Sequence, residues 1–431
     1  MNTTRFKGLA GVVVGVLALG ACDILTVADP QRYTAEDLDD ALPAVANGVE
    51  GAVHEVLDGW VVYQALLADV YQHTGTWSSY DESDHGRIYY GNSPMNGYHN
   101  AWLRAQWFAV DAEARFQRVL GDAEAASNPM TAQVKLSGGL ADLWQGMTFC
   151  EGVLEPTGSA VSDMQVLAQA ESKLTAAMAS AQSAGRPDYG NAAQAGRAVA
   201  RMLQNDWAGA AADAAAIPAG FSYDAIFNVQ STNSVVQLTT KNNNEAAGLM
   251  YKWWPMIEKS DAPGYMTDPV SGTPDMRLPV YFDGEVATDN ETPHYSQWKY
   301  IDDTDDIPML HSDGMQLIIA EAMARNGDFA GATGILNALR SAVGLPGHEV
   351  PGDPVTMGKI ILWERFAEHF MEGYRLIDLH REGLMRDVFE ELNDPERPGV
   401  DRPSKWPMTT TEPTYNPNIN NDLLQRCLPR A

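Results

Sequence analysis

Ile361-Leu-Trp-Glu-Arg-Phe-Ala-Glu-His-Phe-Met-Glu-Gly-Tyr-Arg-Leu-Ile-Asp-Leu-His-Arg-Glu-Gly383 is the most informative stretch of this 431-residue chain. Laid on one helix at about 100° per residue, Glu364, Arg365, Glu368, Glu372, Arg375 and Asp378 share an arc of roughly 140°. Ile360, Trp363, Ala367, Phe370, Met371, Tyr374 and Ile377 fill an adjoining apolar arc. Opposite charges fall at i,i+3 in Arg365–Glu368, Glu372–Arg375 and Arg375–Asp378, a spacing at which helical side chains meet. Solvated helix faces carry such pairs as well. The pattern predicts a helix with a structural ionic network of Arg365, Glu368, Glu372 and Arg375 beside a buried aromatic stripe.

The order Glu364-Arg365, Glu368, Glu372-Gly373, Arg375, Asp378-Leu379 and Arg381 resembles the C-terminal signature of the RagB/SusD-like outer-membrane nutrient-binding lipoproteins. Leu317 to Leu345 is similar to that family's penultimate helical hairpin. Met276-Arg277 after Asp275, Asn416-Pro417-Asn418, and Asp29-Pro30 leading to Asp37-Leu38 resemble further landmarks. The match is strong over residues 315–383 and diffuse elsewhere. It also departs from the family. Arg and Glu commonly precede the Ala-Glu-Ala element, where this chain has His311 and Gly314 before Ala320-Glu321-Ala322. Any ion pair made there is missing or replaced.

The amino terminus is a separate signal. Arg5 and Lys7 precede an uncharged run from Leu9 to Leu19, then Leu19-Gly20-Ala21-Cys22. A basic start and an apolar run too short to span a bilayer read as a secretory signal over residues 1–21. Leu-Gly-Ala-Cys resembles the lipobox, which makes Cys22 the expected lipidation site and the protein anchored to a membrane rather than spanning it. A plain signal peptide with an accidental cysteine is the blander reading. Residues 22–431 are expected to form one domain, with a helical half over about 30–230 and a loop-rich and C-terminal helical part over about 240–431.

The chain has 45% hydrophobic residues and a formal charge of −28, which becomes −30 once Arg5 and Lys7 leave with the signal. The hydrophobic content supports a sizeable core, and the negative field argues against nucleic-acid partners. Cys150 and Cys427 remain after Cys22, and sequence alone does not decide whether they pair. The nine histidines are scattered without a His-Glu-x-x-His element, so no metal and no cofactor are expected.

Along the chain the pattern is all-α, with tetratricopeptide-like helical hairpins, long irregular loops and little β structure. Thr34-Ala-Glu-Asp37 reads as a capping box. Leu38 to Val53 with Trp60 to Val70, Ala101 to Leu120, Met130 to Val153, Met164 to Ala184, and a pair within Asn191 to Ala216 follow in helical period. Ser234 to Thr239 is the best strand candidate. Ala193 to Ala216 and Leu317 to Leu345 have hairpin grammar, with Asn205-Asp206 and Asn326-Gly327-Asp328 turning the chain.

Binding chemistry is read in two aromatic loop regions. Gln72 to His99 carries Trp77, Tyr80, Tyr89, Tyr90 and Tyr98, and Tyr251 to Tyr300 carries Trp253, Trp254, Tyr265, Tyr281, Tyr295 and Trp298. Aromatic faces stack on sugar rings or on protein partners while neighbouring polar groups fix orientation. Any one of these rings is equally at home pinning its loop to the helices. The resemblance implies a glycan site drawing aromatics and an Asn from comparable loops, which selects Trp77, Tyr80, Asn96, Tyr295 and Trp298. Asp302-Asp-Thr-Asp-Asp306 invites a calcium reading but lacks the Gly and distal Glu of an EF-hand, and an acidic lead-in to the Leu317 helix accounts for it. A glycosidase needs two carboxylates flanking a cleft, one with a raised pKa. Arg365 and Arg375 beside Glu368 and Glu372 favour the charged form of both, so no enzyme is expected.

The resemblance thus implies a surface-exposed, lipid-anchored outer-membrane protein that captures an oligosaccharide. Its implied partner is a TonB-dependent transporter of the SusC type, over which it acts as a lid. Peptide capture by a member of the same family, or a helical-repeat scaffold without a small ligand, stand as alternatives.

Overall fold

The computed structural model describes residues 34–88, 91–155, 157–240, 245–409 and 411–419. Cys22, the signal segment, Asp29-Pro30, Tyr89, Tyr90 and Cys427 lie outside them. The chain divides into Met1–Ala44 and Val45–Ala431. In the first unit, Thr34 caps the helix Ala35–Asp39. The Asp37 N–H donates to Thr34 Oγ1 at 3.2 Å and the Thr34 N–H to Asp37 Oδ2 at 2.7 Å, which is the capping box expected from sequence.

The second unit is helical with small antiparallel sheets. The helices Ser93–Leu120, Pro129–Thr148, Asp163–Ser183, Pro187–Leu203 and Trp207–Ala215 pack in succession, each against the next. Ser312–Arg325 lies against Trp207–Ala215 and is followed by Phe329–Ala342 and Pro354–Glu368. The two expected hairpins close by one device. Asp206 Oδ1 accepts the Gly209 N–H at 3.0 Å, and Asp328 Oδ1 accepts the Gly331 N–H at 2.8 Å. Before each aspartate stands a residue at positive φ, Asn205 at 63° and Gly327 at 84°. The matching sequences Asp206-Trp-Ala-Gly209 and Asp328-Phe-Ala-Gly331 therefore specify one turn and one N-cap.

The strand expectation at Ser234 to Thr239 fails: these residues are a helix. Asn233 caps it by accepting the Val235 N–H at 2.9 Å, and the Ser234 N–H donates to buried Asp58 at 2.6 Å. Val235, Val236, Leu238 and Thr239 are buried together, so packing overrides the β-branched propensity. Strands appear instead in the stretch read as loop. Gly264–Thr267, Pro274–Tyr281 and Ser296–Gln297 form a three-stranded sheet, and Ile307–His311 pairs with Ser222–Ala225. A further ladder joins Tyr71–His73 to Ala247–Leu249.

The core centres on Trp60, Tyr63, Phe149 and Trp406. Trp406 stacks on Tyr63 with centroids 4.8 Å apart, and Trp60 stacks on Phe149 at 5.7 Å. Backbone bonds hold Trp406 in place, its N–H donating to the Thr148 carbonyl and its carbonyl accepting the Cys150 N–H, each at 3.0 Å. Cys150 is disulfide-bonded, and its partner lies outside the described residues. Nearby, buried Arg402 donates to the carbonyls of Leu67 at 2.9 Å, Leu66 at 3.2 Å and Asp84 at 2.7 Å. Leu67 ends the helix Leu42–Leu67, whose last carbonyls have no partner within the helix.

Candidate functional site

The signature stretch is not one helix. Pro354–Glu368 ends at its last glutamate, and Arg375–Arg381 begins a second helix after a tight turn. Met371 at φ 59° and Gly373 at φ 87° make that turn. Left-handed backbone breaks the 3.6-residue phase between Glu372 and Arg375, while within the helices Arg365 bonds Asp378 instead of Glu368 and Arg375 bonds Asp69 instead of Asp378. The charges are paired, but with other partners. Arg365 Nε bonds both oxygens of Asp378 at 2.9 Å. Arg375 bonds Asp69, and Glu368 meets Arg277 at 3.4 Å. Glu372 takes Lys299 at 2.7 Å on Oε1, and His311 at 3.0 Å and His369 at 2.8 Å on Oε2. Fully buried Glu364 takes Arg277 at 2.8 Å, Arg340 at 2.7 Å and His348 at 2.8 Å.

The electrostatics also differ from the sequence expectation at one glutamate. Burial pushes the Glu368 carboxyl up despite Arg277. Burial acts in the same direction on Glu372, but Lys299 and His311 outweigh it and hold that carboxyl well below the usual range. Burial of Asp378 is likewise overcome by Arg365 and Arg381, which bring it to about 2. The network clamps two helices onto remote parts of the chain, a structural role.

The aromatic loops form three clusters. Trp77, 40% exposed, meets Tyr80 edge-on at 5.1 Å. Tyr80 is buried and packs edge-on against Tyr63 at 5.3 Å, so it supports Trp77 and does not face outward. The loop beneath is held by polar bonds. The Trp77 N–H donates to His73 Nε2 at 3.2 Å, and the His73 N–H donates to Asp84 Oδ2 at 3.0 Å. Arg397 grips Asp84 through both oxygens, at 2.8 and 2.6 Å. Asn96 is half-buried one turn into the Ser93–Leu120 helix, which Asn92 caps by accepting the Met95 N–H at 3.2 Å.

Tyr295 sits between Trp254 at 4.8 Å and Phe282 at 3.8 Å, both stacked. Its carbonyl accepts the Leu249 N–H at 2.8 Å, so it flanks the Tyr71–His73 and Ala247–Leu249 ladder that also leads to Trp77. Trp298 instead packs edge-on against Tyr281 at 4.9 Å. Tyr281 and Phe282 are consecutive, and successive strand residues point to opposite faces. Tyr295 and Trp298 therefore belong to separate ring clusters, on either side of the short strand Ser296–Gln297. Of the expected site residues, Trp77 and Tyr80 touch, while Tyr295 and Trp298 lie in two other ring clusters. Sequence reading missed Phe282 and His73, which gave no signal beyond residue type.

The acidic run is a turn before the Ile307–His311 strand, not the start of a helix. Three of its four carboxylates accept backbone N–H groups. Asp305 accepts from Ile301 at 2.7 Å and Asp302 at 2.9 Å, Asp302 from Thr304 at 3.0 Å, and Asp306 from Phe227 at 2.8 Å. Among the described residues no helix is long and apolar enough to cross a membrane.

Residues 296–420 match the SusD family model. The span covers the signature turn, the second hairpin and Trp406. That segment is SusD/RagB-like. Solved structures agree at the level of fold. A SusD-like carbohydrate-binding protein from Bacteroides fragilis superposes with TM-score 0.69 at 15% identity over 90% of this chain and 99% of its own. A SusD superfamily protein from Bacteroides vulgatus gives 0.67 at 13% identity over 89% and 98%. A laminarin-binding SusD-like protein gives 0.61 at 15% identity over 86% and 97%. No curated protein sequence matches the chain.

Proposed function

We propose that this protein captures an oligosaccharide on the face bearing Trp77 and passes it to a TonB-dependent outer-membrane transporter of the SusC type. Residues 22–431 form the mature domain in this reading, anchored by a lipid on Cys22 at the cell surface. It acts as a binding protein and not an enzyme.

The observation that carries the reading is Trp77, a large exposed ring on a support that cannot give. Its loop is fixed by His73, Asp84 and Arg397, and its edge rests on buried Tyr80. A rigid aromatic surface loses little entropy when a sugar ring stacks on it. Tyr295, stacked between Trp254 and Phe282, and half-buried Asn96 are the further residues to test in this reading. SusD-like structures of the same fold bear the descriptions carbohydrate binding and laminarin binding, which makes laminarin the first probe.

Calorimetric titration of laminarin and a panel of oligosaccharides into the soluble chain starting after Cys22 tests the proposal. Trp77→Ala should abolish measurable binding, while Trp298→Ala, in a separate ring cluster, should weaken it less. Unchanged binding in both variants removes this site. No glycan bound and no transporter co-purified would overturn the function. Retained lipid labelling in Cys22→Ala would overturn the anchor.

A further inference from the structure

His311 and His369 are 58 residues apart in sequence, yet their ring nitrogens face one another. His311 Nε2, His369 Nδ1 and Glu372 Oε2 form a triangle with edges of 3.2, 3.0 and 2.8 Å. Donor atoms around a tetrahedral zinc ion lie about 3.3 Å apart, given bonds of about 2.0–2.1 Å. The triangle needs to open by only a few tenths of an ångström, about the freedom of a side-chain torsion.

Each corner is placed by the backbone. His311 ends the Ile307–His311 strand and caps Ser312–Arg325. His369 and Glu372 lie in the turn made by Met371 and Gly373. Gly314 makes the room, since a Cβ there would stand 2.7 Å from His369 Cε1. Thus His311 and Gly314, the two departures from the family pattern noted in the sequence, meet at one point with His369.

Hydrogen bonding alone serves this point poorly. Two ring nitrogens donating to one carboxylate oxygen crowd their protons together, since the nitrogens themselves stand only 3.2 Å apart. One cation replaces both. We propose that His311, His369 and Glu372 bind a single divalent ion of the zinc class. Two imidazoles and one carboxylate suit a borderline ion, whereas calcium and magnesium take oxygen. Lys299 holds the other oxygen of Glu372 at 2.7 Å, so the carboxylate presents Oε2 alone. The entry side is His311, whose side chain is 13% exposed against 6% for His369 and 3% for Glu372. Coordination through Nε2 puts the His311 proton on Nδ1 and breaks its 3.2 Å bond from the Gly314 N–H. One such cap is a small loss beside a metal bond. The ion clips the strand end to the signature turn.

Untagged full-length protein, stripped with a chelator, is titrated with Zn2+ and with Co2+. One ion per chain, ligand-field bands of four-coordinate Co2+, and a higher melting temperature with Zn2+ are expected. Glu372→Gln and His369→Gln should each weaken binding by at least about tenfold, whereas His85→Gln should not. Circular dichroism and melting in chelator show whether each variant is folded. If a variant is not, His311→Gln, at the most exposed corner, supplies the same comparison. No stoichiometric uptake by folded wild-type protein, or uptake that survives both Glu372→Gln and His369→Gln, overturns the site.

Discussion

Arg375 grips Asp69 across 306 residues of sequence, Nε on one carboxylate oxygen and Nη2 on the other, both at 2.7 Å. Lys252 adds a third bond to the same carboxylate at 2.7 Å. Burial opposes the charge on Asp69, and the two cations outweigh it and hold the carboxyl below its usual range. Asp69→Ala leaves both cations without their counter-charge and should destabilise the fold by about 3–5 kcal/mol. Denaturant unfolding reads this directly, and a loss below about 1 kcal/mol would mean that the pair adds nothing beyond a surface bridge.

Gly373 is the hinge of the signature turn. Its φ of 87° strains any side chain, and an added Cβ would stand 3.1 Å from Trp144 Cζ3. Gly373→Ala should destabilise by about 1–3 kcal/mol. An unchanged melting temperature would show that the turn relaxes freely.

Trp77 and Tyr80 touch, yet their roles should separate. Exposed Trp77→Ala should change stability by less than about 0.5 kcal/mol while removing glycan binding. Buried Tyr80→Ala should destabilise by about 3 kcal/mol or more. Parallel unfolding and titration of the two variants check the division, and equal stability losses would reject it.

Acid sensitivity follows from buried histidines. Burial pushes His99 down to about 3, its ring lying edge-on to Phe149 at 4.7 Å. Burial, reinforced by Lys405, pushes His380 down to about 4. Both are neutral when folded and take up protons near their ordinary pKa when unfolded. The unfolded chain therefore binds more protons between about pH 6.5 and 4, and stability falls as pH falls through that window. His99 alone should contribute roughly 3 kcal/mol to the loss by pH 4. His99→Phe should flatten that part of the stability curve, and an unchanged slope would refute the assignment.

What sequence revealed was local. The Asp206 and Asp328 turns, the Thr34 capping box and the long amphipathic helices all rest on residues within one or two turns of each other. The strand at Pro274–Tyr281 was missed because Pro274 and Pro279 disguise it, although its neighbours Gly264–Thr267 and Ser296–Gln297 are close in sequence, and the Ser234 helix because Asn233 and Asp58 overrule its propensity. The seam illustrates the same limit. Residue types announced that Arg365, Glu368, Glu372 and Arg375 would be paired, but the turn at Met371 and Gly373 and remote partners such as Asp69 and Arg277 set which charges meet. Within the candidate site, Trp77 and Tyr80 could be named from composition. That one faces solvent while the other carries it depends on Tyr63, Asn92 and the packing between them.

The bond from Arg402 to Leu66 and Leu67 has a consequence for how the chain is made. A helix finished in the first sixth of the sequence takes the side-chain cap of its last carbonyls from a residue 335 positions later. Trp406 then completes the ring stack over Trp60 and Tyr63. Contacts this remote in sequence make assembly slow and leave apolar surface open in incomplete chains. Closure of this core therefore waits for a segment made more than 300 residues after the helix that it seals.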